Sequence, residues 1–191
     1  SRFSQPVRLY AHPNALLPKR SGERNIGSQL SLAELREKAQ LMLTTQPCAV
    51  SEHVTYLGEI PRVYPFEAGR AVGETCLSCG DCWETDELSD DSSLALKVPD
   101  GLFVVTGCAH AGLCNTVLQA KQIAKEERVC GALGGFHLFE TGEALRQTME
   151  TLRALGVSRV YPAHCTSLAV KSAFVQAFET VEVGVGLTLT W

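Results

Sequence analysis

His110, His137 and His164 recur at equal intervals, each just after an apolar run and just before a helical pattern. Neutral imidazole is a common ligand for zinc or iron, and three rings delivered to one sheet edge would converge on an ion. Their neighbours suit that task. Gly107, Ala109 and Ala111 surround His110, Gly134 and Gly135 precede His137, and Pro162 and Ala163 precede His164. Small residues let backbone approach a ligand closely. The plainer readings stay open: a single histidine at a strand end is more often a satisfied core or surface residue. Three together also suit acid–base chemistry without a metal.

A second group of chemistry-bearing residues is Cys76-x2-Cys79-x2-Cys82. Two-residue gaps let successive thiolates face one ion, as in zinc knuckles and iron–sulfur loops. A complete site needs a fourth ligand, with Cys48, Cys114 or a histidine as candidates. The alternatives are free or disulfide-bonded thiols, or a catalytic thiol. Asp86, Glu87, Asp90 and Asp91 follow directly. They read either as a solvated acidic loop or as carboxylates that contact substrate or orient a metal-binding histidine. Lys19, Arg20 and Arg24 are candidates for a substrate phosphate, against the plainer reading of a solvated basic patch.

The scaffold for these side chains is an alternation of strands and helices. LFVVTG leads to His110 and then a helix with Leu113, Val117, Ala120 and Ala124 on one face. VCGALGG leads to His137 and a helix carrying Leu145, Met149 and Leu152, closed by Gly156. VSRVYPA leads to His164 and a helix with Val170, Phe174 and Phe178. In open α/β sheets ligands bind beyond the carboxyl ends of the strands, where all three histidines stand. Upstream, SLALKV and GLFVVT flank Pro99-Asp100-Gly101, turn chemistry that predicts a β-hairpin. Residues 31–43 open on a Ser31/Glu34 capping box and predict a helix with Leu32, Leu35, Ala39 and Met42 at helical spacing. Residues 48–66 read as short extended pieces, and 69–92 as an irregular, Cys-rich loop. The alternating Val181, Val183, Val185, Leu187, Leu189 and Trp191 predict a half-buried C-terminal strand.

With 191 residues, 45% hydrophobic and 20% charged, the chain suits one ordinary soluble domain, 1–191. A net charge of −4 without a basic run argues against a nucleic-acid groove. No apolar run approaches the roughly 20 residues that span a bilayer, and the start SRFSQPVRLYAHP has no apolar signal core. A cytoplasmic protein is expected, with its eight cysteines mostly reduced.

TGCAHAG (106–112), GGFHL (134–138) and PAHCT (162–166) resemble the metallo-β-lactamase fold superfamily. More narrowly, they resemble its branch of 7,8-dihydropterin-6-methyl-4-(β-D-ribofuranosyl)aminobenzene-5′-phosphate synthase-like proteins. YAHP (10–13), GEIPR (58–62), FE (66–67) and DELSDDSSLAL (86–96) agree with that branch in order, so the likeness covers nearly the whole chain. It implies an αββα sandwich with one or two ions, zinc or alternatively iron or manganese, at the sheet edges. His110 and His164 match histidines of the family's metal centre, and His137 matches a histidine assigned to metal or substrate contact and a catalytic role. Cys108 sits where many relatives carry a bridging aspartate, and reads as a possible ligand or a small buried residue. The Cys76/Cys79/Cys82 cluster is outside the family pattern. The signature HxHxDH is absent, since His12 and His53 are isolated. The chain is therefore expected to begin after it and to hold roughly the C-terminal two thirds of the fold.

The resemblance implies a metal-dependent hydrolase or transferase acting on a phosphorylated or pterin-like small molecule, with no nucleic-acid or membrane partner. The rival reading is a catalytically incomplete fragment or subunit that self-associates or pairs with a companion N-terminal segment. A third is a Cys-loop metal or redox module.

Overall fold

The computed structural model describes residues 7–67, 71–77 and 82–191. In chain order the first elements are β1 (Val7–Ala11), β2 (Lys19–Ser21), β3 (Arg24–Asn25), α1 (Leu32–Lys38) and β4 (Ala39–Leu43). Next come β5 (Cys48–Ala49), β6 (Val54–Tyr56), β7 (Glu74–Cys76) and β8 (Trp83–Thr85). The remainder is β9 (Ser93–Val98), β10 (Gly101–Thr106), α2 (Leu113–Ala124), β11 (Val129–Gly135), α3 (Glu143–Ala154), β12 (Arg159–Ala163) and α4 (Leu168–Ala177). They form two compact units, Ser1–Gln46 with Arg70–Asp90, and Pro47–Gly69 with Asp91–Trp191.

The larger unit carries a six-stranded sheet in the order β12-β11-β10-β9-β6-β5. β10, β11 and β12 run parallel, joined through α2 and α3, while β9 joins β10 as the expected antiparallel hairpin. Period-two alternation sorts the side chains. Leu102, Val104, Ala132 and Val160 point to the helix-covered face, where they pack with Leu113, Val117, Leu145, Leu152, Val170 and Phe174. Phe103, Cys130 and Tyr161 point to the opposite face and gather Leu96, Val98, Val105 and Leu133. Phe174 is fully buried against Phe136 and Phe178, so truncating it to alanine costs about 3–5 kcal/mol.

The C-terminal segment departs from the expected strand. Val183 and Leu189 pack on the Phe103 cluster and Trp191 meets the Phe103 ring edge-on, but 181–191 pairs with no described strand. Gly186, at φ 90°, and the turn from Leu187 N–H to Gly184 C=O bend it instead. The alternation marked only part of the face that meets the sheet, since Val181 and Val185 are exposed, and a ladder also needs a neighbour.

The smaller unit holds a parallel pair, β1–β4, and a sheet in the order β3-β2-β7-β8. The capping box forms as read: Glu34 N–H donates to Ser31 Oγ and Ser31 N–H to Glu34 Oε2. The helix stops at Lys38, however, because Ala39–Leu43 joins Val7–Ala11 in register. No residue of α1 is buried, so no packed face rewards extending it past the strand pairing. The stretch 69–92 is also more regular than expected, since β7 and β8 lie inside it and pair with each other and with β2. Three-residue strands are too short to show periodicity in sequence.

Candidate metal centre

The three histidines stand where the sequence placed them, on the corners after β10, β11 and β12. The corners are held together by backbone. Thr106 Oγ1 donates to Gly135 C=O at 2.9 Å, and Gly135 N–H donates to Gly107 C=O at 2.9 Å. Leu138 bridges Thr166, and Phe136 N–H donates to Thr166 Oγ1 at 3.1 Å. A Cβ on Gly135 would lie 2.5 Å from Gly107 O, 2.6 Å from Cys165 Sγ and 3.1 Å from Cys108 Cα. Only glycine lets these segments touch.

Two of the three corner histidines bear strained backbone: φ is 47° at His137 and 42° at His164, with Ala109 beside His110 at 53°. Such left-handed non-glycine residues cost about 1–3 kcal/mol each and cluster at functional sites. His110 and His137 meet edge-on, ring centroids 4.5 Å apart, and Phe139 closes the other side of His137 at 5.0 Å. Asp91 stands beside the pair: its Oδ2 accepts from Ala111 N–H at 2.8 Å and its Oδ1 lies 3.6 Å from His110 Nδ1. Burial, then the neighbouring His110, hold His137 below the usual imidazole range against the partial pull of Asp91. His137 Nδ1 is buried without a hydrogen-bond partner.

His164 belongs to a different set. One ligand atom from each of Cys108, His164 and Cys165 lies within 4.8 Å of the others. Cys165 Sγ donates to Cys108 C=O at 3.5 Å. Burial and the adjacent Cys165 push the Cys108 thiol up to about 11. In the sequence His110, His137, His164 and Cys108 stood out as candidates but Cys165 did not, although it is the next residue after His164. It also missed what seats the helix after His110. The N-cap of α2, Gly112, has φ 100° and no side chain to cap with. Glu67 does so from a distance, accepting from Cys114 and Asn115 N–H at 2.8 and 2.9 Å. Burial raises its carboxyl above the ordinary range, and those two hydrogen bonds pull it partly back. Asn115, also buried, accepts from Val63 and Tyr64 N–H and donates to Ala111 C=O.

Donor chemistry fits a transition metal. Imidazole and thiol are its usual ligands: Cys108, His164 and Cys165 bring three of them together, while in the His110–His137 pair a buried ring nitrogen lacks a hydrogen-bond partner and a carboxylate lies near one ring.

Other expected candidates lie elsewhere. Lys19 is not available to a phosphate: burial alone would lower it, but Asp86 and Asp90, each at 2.7 Å, hold it charged and above its ordinary range. The same contacts show that Asp86 is buried rather than solvated. Arg20 pairs with Glu74 and lies over the Trp83 ring, while Arg24 stays exposed. Cys76 is buried on β7 and Cys82 is exposed; Cys79 lies outside the described residues. No disulfide joins two described cysteines. Cys114 is a core residue whose Sγ donates to Thr148 C=O. His12 caps a one-turn helix, accepting from Asn14 N–H at 3.0 Å, and His53 is exposed near Glu52. Among the described residues no helix is long and apolar enough to cross a membrane.

The solved structure of Tm1679, a metal-dependent hydrolase of the β-lactamase superfamily, superposes with a TM-score of 0.84 at 24% identity, covering 96% of this chain and 71% of that one. The chain has the metallo-β-lactamase fold. Two proteins of Methanocaldococcus jannaschii are similar in sequence. One is 7,8-dihydropterin-6-methyl-4-(β-D-ribofuranosyl)-aminobenzene-5′-phosphate synthase, 28% identical over 93% of this chain and 63% of its own length. The other is the uncharacterized protein MJ0448, 30% identical over 83% of this chain and 58% of its own. The chain therefore spans less than two thirds of the length of these curated relatives. No family model matches. Within the metallo-β-lactamase fold the three corners stand at the carboxyl ends of β10, β11 and β12, the place such α/β sheets use for ligands.

Proposed function

We propose that the corners after β10, β11 and β12 form a transition-metal centre of a hydrolase or transferase acting on a phosphorylated or pterin-like small molecule. His110, His164 and Cys108 would hold one or two ions, zinc before iron or manganese. When bound, such an ion supplies an acidified water and neutralises developing negative charge. The chain's own residues do the rest. Asp91 orients His110, and His137, kept neutral near pH 7 by burial and by His110, ligates or takes a proton at Nδ1. The observation that carries the reading is the buried, unpartnered His137 Nδ1 beside the His110 ring on a strained corner. The fold and the similarity to a pterin-phosphate synthase support the substrate class.

The test pairs binding with turnover. Chelator-stripped protein should take up zinc or manganese by calorimetry and gain hydrolysis of bis(p-nitrophenyl) phosphate or a pterin phosphate ester. His110→Ala should weaken metal uptake and lose turnover, and His137→Ala should lose turnover. Retained turnover in the stripped protein, or in those variants, would overturn the proposal.

A second reading rests on β1 and β4. They form a two-stranded parallel sheet with Val7, Met42 and Leu43 exposed, and parallel pairs are ordinarily buried and seldom stable alone. The chain is accordingly proposed to add strands there from a second copy or a companion segment. Sedimentation velocity should show self-association at micromolar concentration. A monomer at every concentration, with cooperative unfolding, would contradict it.

A further inference from the structure

The core cysteines and the corner cysteines of the larger unit behave differently. Cys114 and Cys130 are buried and donate to the carbonyls of Thr148 and Leu102. Cys108 and Cys165 are only partly covered, lie on two different strand corners, and come together beside an exposed imidazole. Ordinary packing would not need that arrangement, and the chain maintains it with two constrained positions. Gly135 leaves room where any Cβ would strike both Cys165 Sγ and the backbone beside Cys108. His164, immediately before Cys165, holds a left-handed φ of 42° that a glycine would adopt at less cost.

We propose that Cys165 is a metal ligand together with Cys108 and His164, making this part of the centre a thiolate-rich site for a thiophilic divalent cation such as zinc, cadmium or cobalt(II). The inference rests on the metal-centre reading above and adds to it both a ligand and a metal preference. Two sulfurs and one imidazole are a soft donor set; manganese and magnesium favour oxygen donors and would bind weakly. Binding forms two metal–sulfur bonds, and the two thiol protons leave to solvent. A fourth position stays open for water or substrate, as in catalytic sites with three protein ligands.

Cobalt(II) titration tests this without any turnover. The protein is used in a background where Cys48, Cys76, Cys79 and Cys82 are serine, which leaves the corner thiols and the buried core thiols Cys114 and Cys130. Cobalt should give an intense near-ultraviolet sulfur-to-cobalt band together with visible bands of tetrahedral coordination. Cys165→Ala or Cys165→Ser should lower the sulfur band per bound cobalt to about half, Cys108→Ala should do the same, and the double variant should abolish it. Circular dichroism checks that each variant is folded, and the serine variant serves if the alanine one is not. Cobalt bound without a sulfur band, or a band unchanged by both Cys165 variants, overturns the thiolate site and leaves the metal-centre reading standing. Failure to bind any cobalt overturns both.

Discussion

Gly135 and Gly107 stand on adjacent corners, and the structure gives them opposite responses to the same change. A Cβ on Gly135 would meet a backbone carbonyl at 2.5 Å and a sulfur at 2.6 Å, both inside the distance real Cβ atoms tolerate. The carbonyl belongs to Gly107, which already accepts from Gly135 N–H, so it cannot swing aside without breaking that bond. Gly107 has open space around its own Cβ position. Neither residue is in the left-handed region, so backbone strain does not enter. Overpacking of this kind costs about 1–3 kcal/mol. Taking the middle, Gly135→Ala should lower the melting temperature by roughly 4–8 °C for a chain of this size. Gly107→Ala should leave it unchanged or raise stability by up to ~1 kcal/mol, because it only restricts the unfolded chain. Differential scanning calorimetry of both variants beside the parent protein decides the matter. Equal melting temperatures for the two variants would refute the close approach of the corners.

Asn115→Ala should destabilise by about 3 kcal/mol or more, since it strands the N–H groups of Val63 and Tyr64 and the carbonyl of Ala111; urea denaturation measures it. Acidification should weaken the metal-free protein through His137. Its folded pKa lies below its unfolded value near 6.5, so its contribution is complete above that value and is lost as pH falls through the folded one. His137→Gln should flatten the stability–pH slope in that window, and an unchanged slope would contradict the assignment. In metal-free protein at pH 7.5, iodoacetamide should modify exposed Cys82 well before Cys108, whose thiol titrates at about 11; mass spectrometry of the peptides reads the order.

How legible these features were follows from their physics. Strands β9 to β12 and helices α2 to α4 were readable because long runs repeat at a period of two or 3.6, and because Pro99-Asp100-Gly101 allows few conformations. Corner positions come with that alternation, so His110, His137 and His164 could be located without coordinates. What could not be read was set by distant partners. Ala39–Leu43 has helical spacing, yet it pairs with Val7–Ala11, and no local signal announces that pairing. Residues 181–191 alternate as a strand does but lack a described neighbour to bond with. Glu67 caps a helix 47 residues away, and Cys165 meets Cys108 across 57. Lys19, read as part of a solvated basic patch or as a phosphate contact, is instead claimed by Asp86 and Asp90. The resemblance carried the fold, while the division of the site into an imidazole pair and a thiol–imidazole set came only from the structure.

The central claim is that the corner imidazoles hold an ion, and anomalous diffraction from zinc-soaked crystals at the zinc edge tests it most directly. The account predicts a strong peak bonded to His110 or His164, with Nδ1 of His137 turned toward it or toward its bound water. Crystals soaked at saturating zinc that show no peak at these corners, with the His110 and His137 rings unmoved, would contradict it.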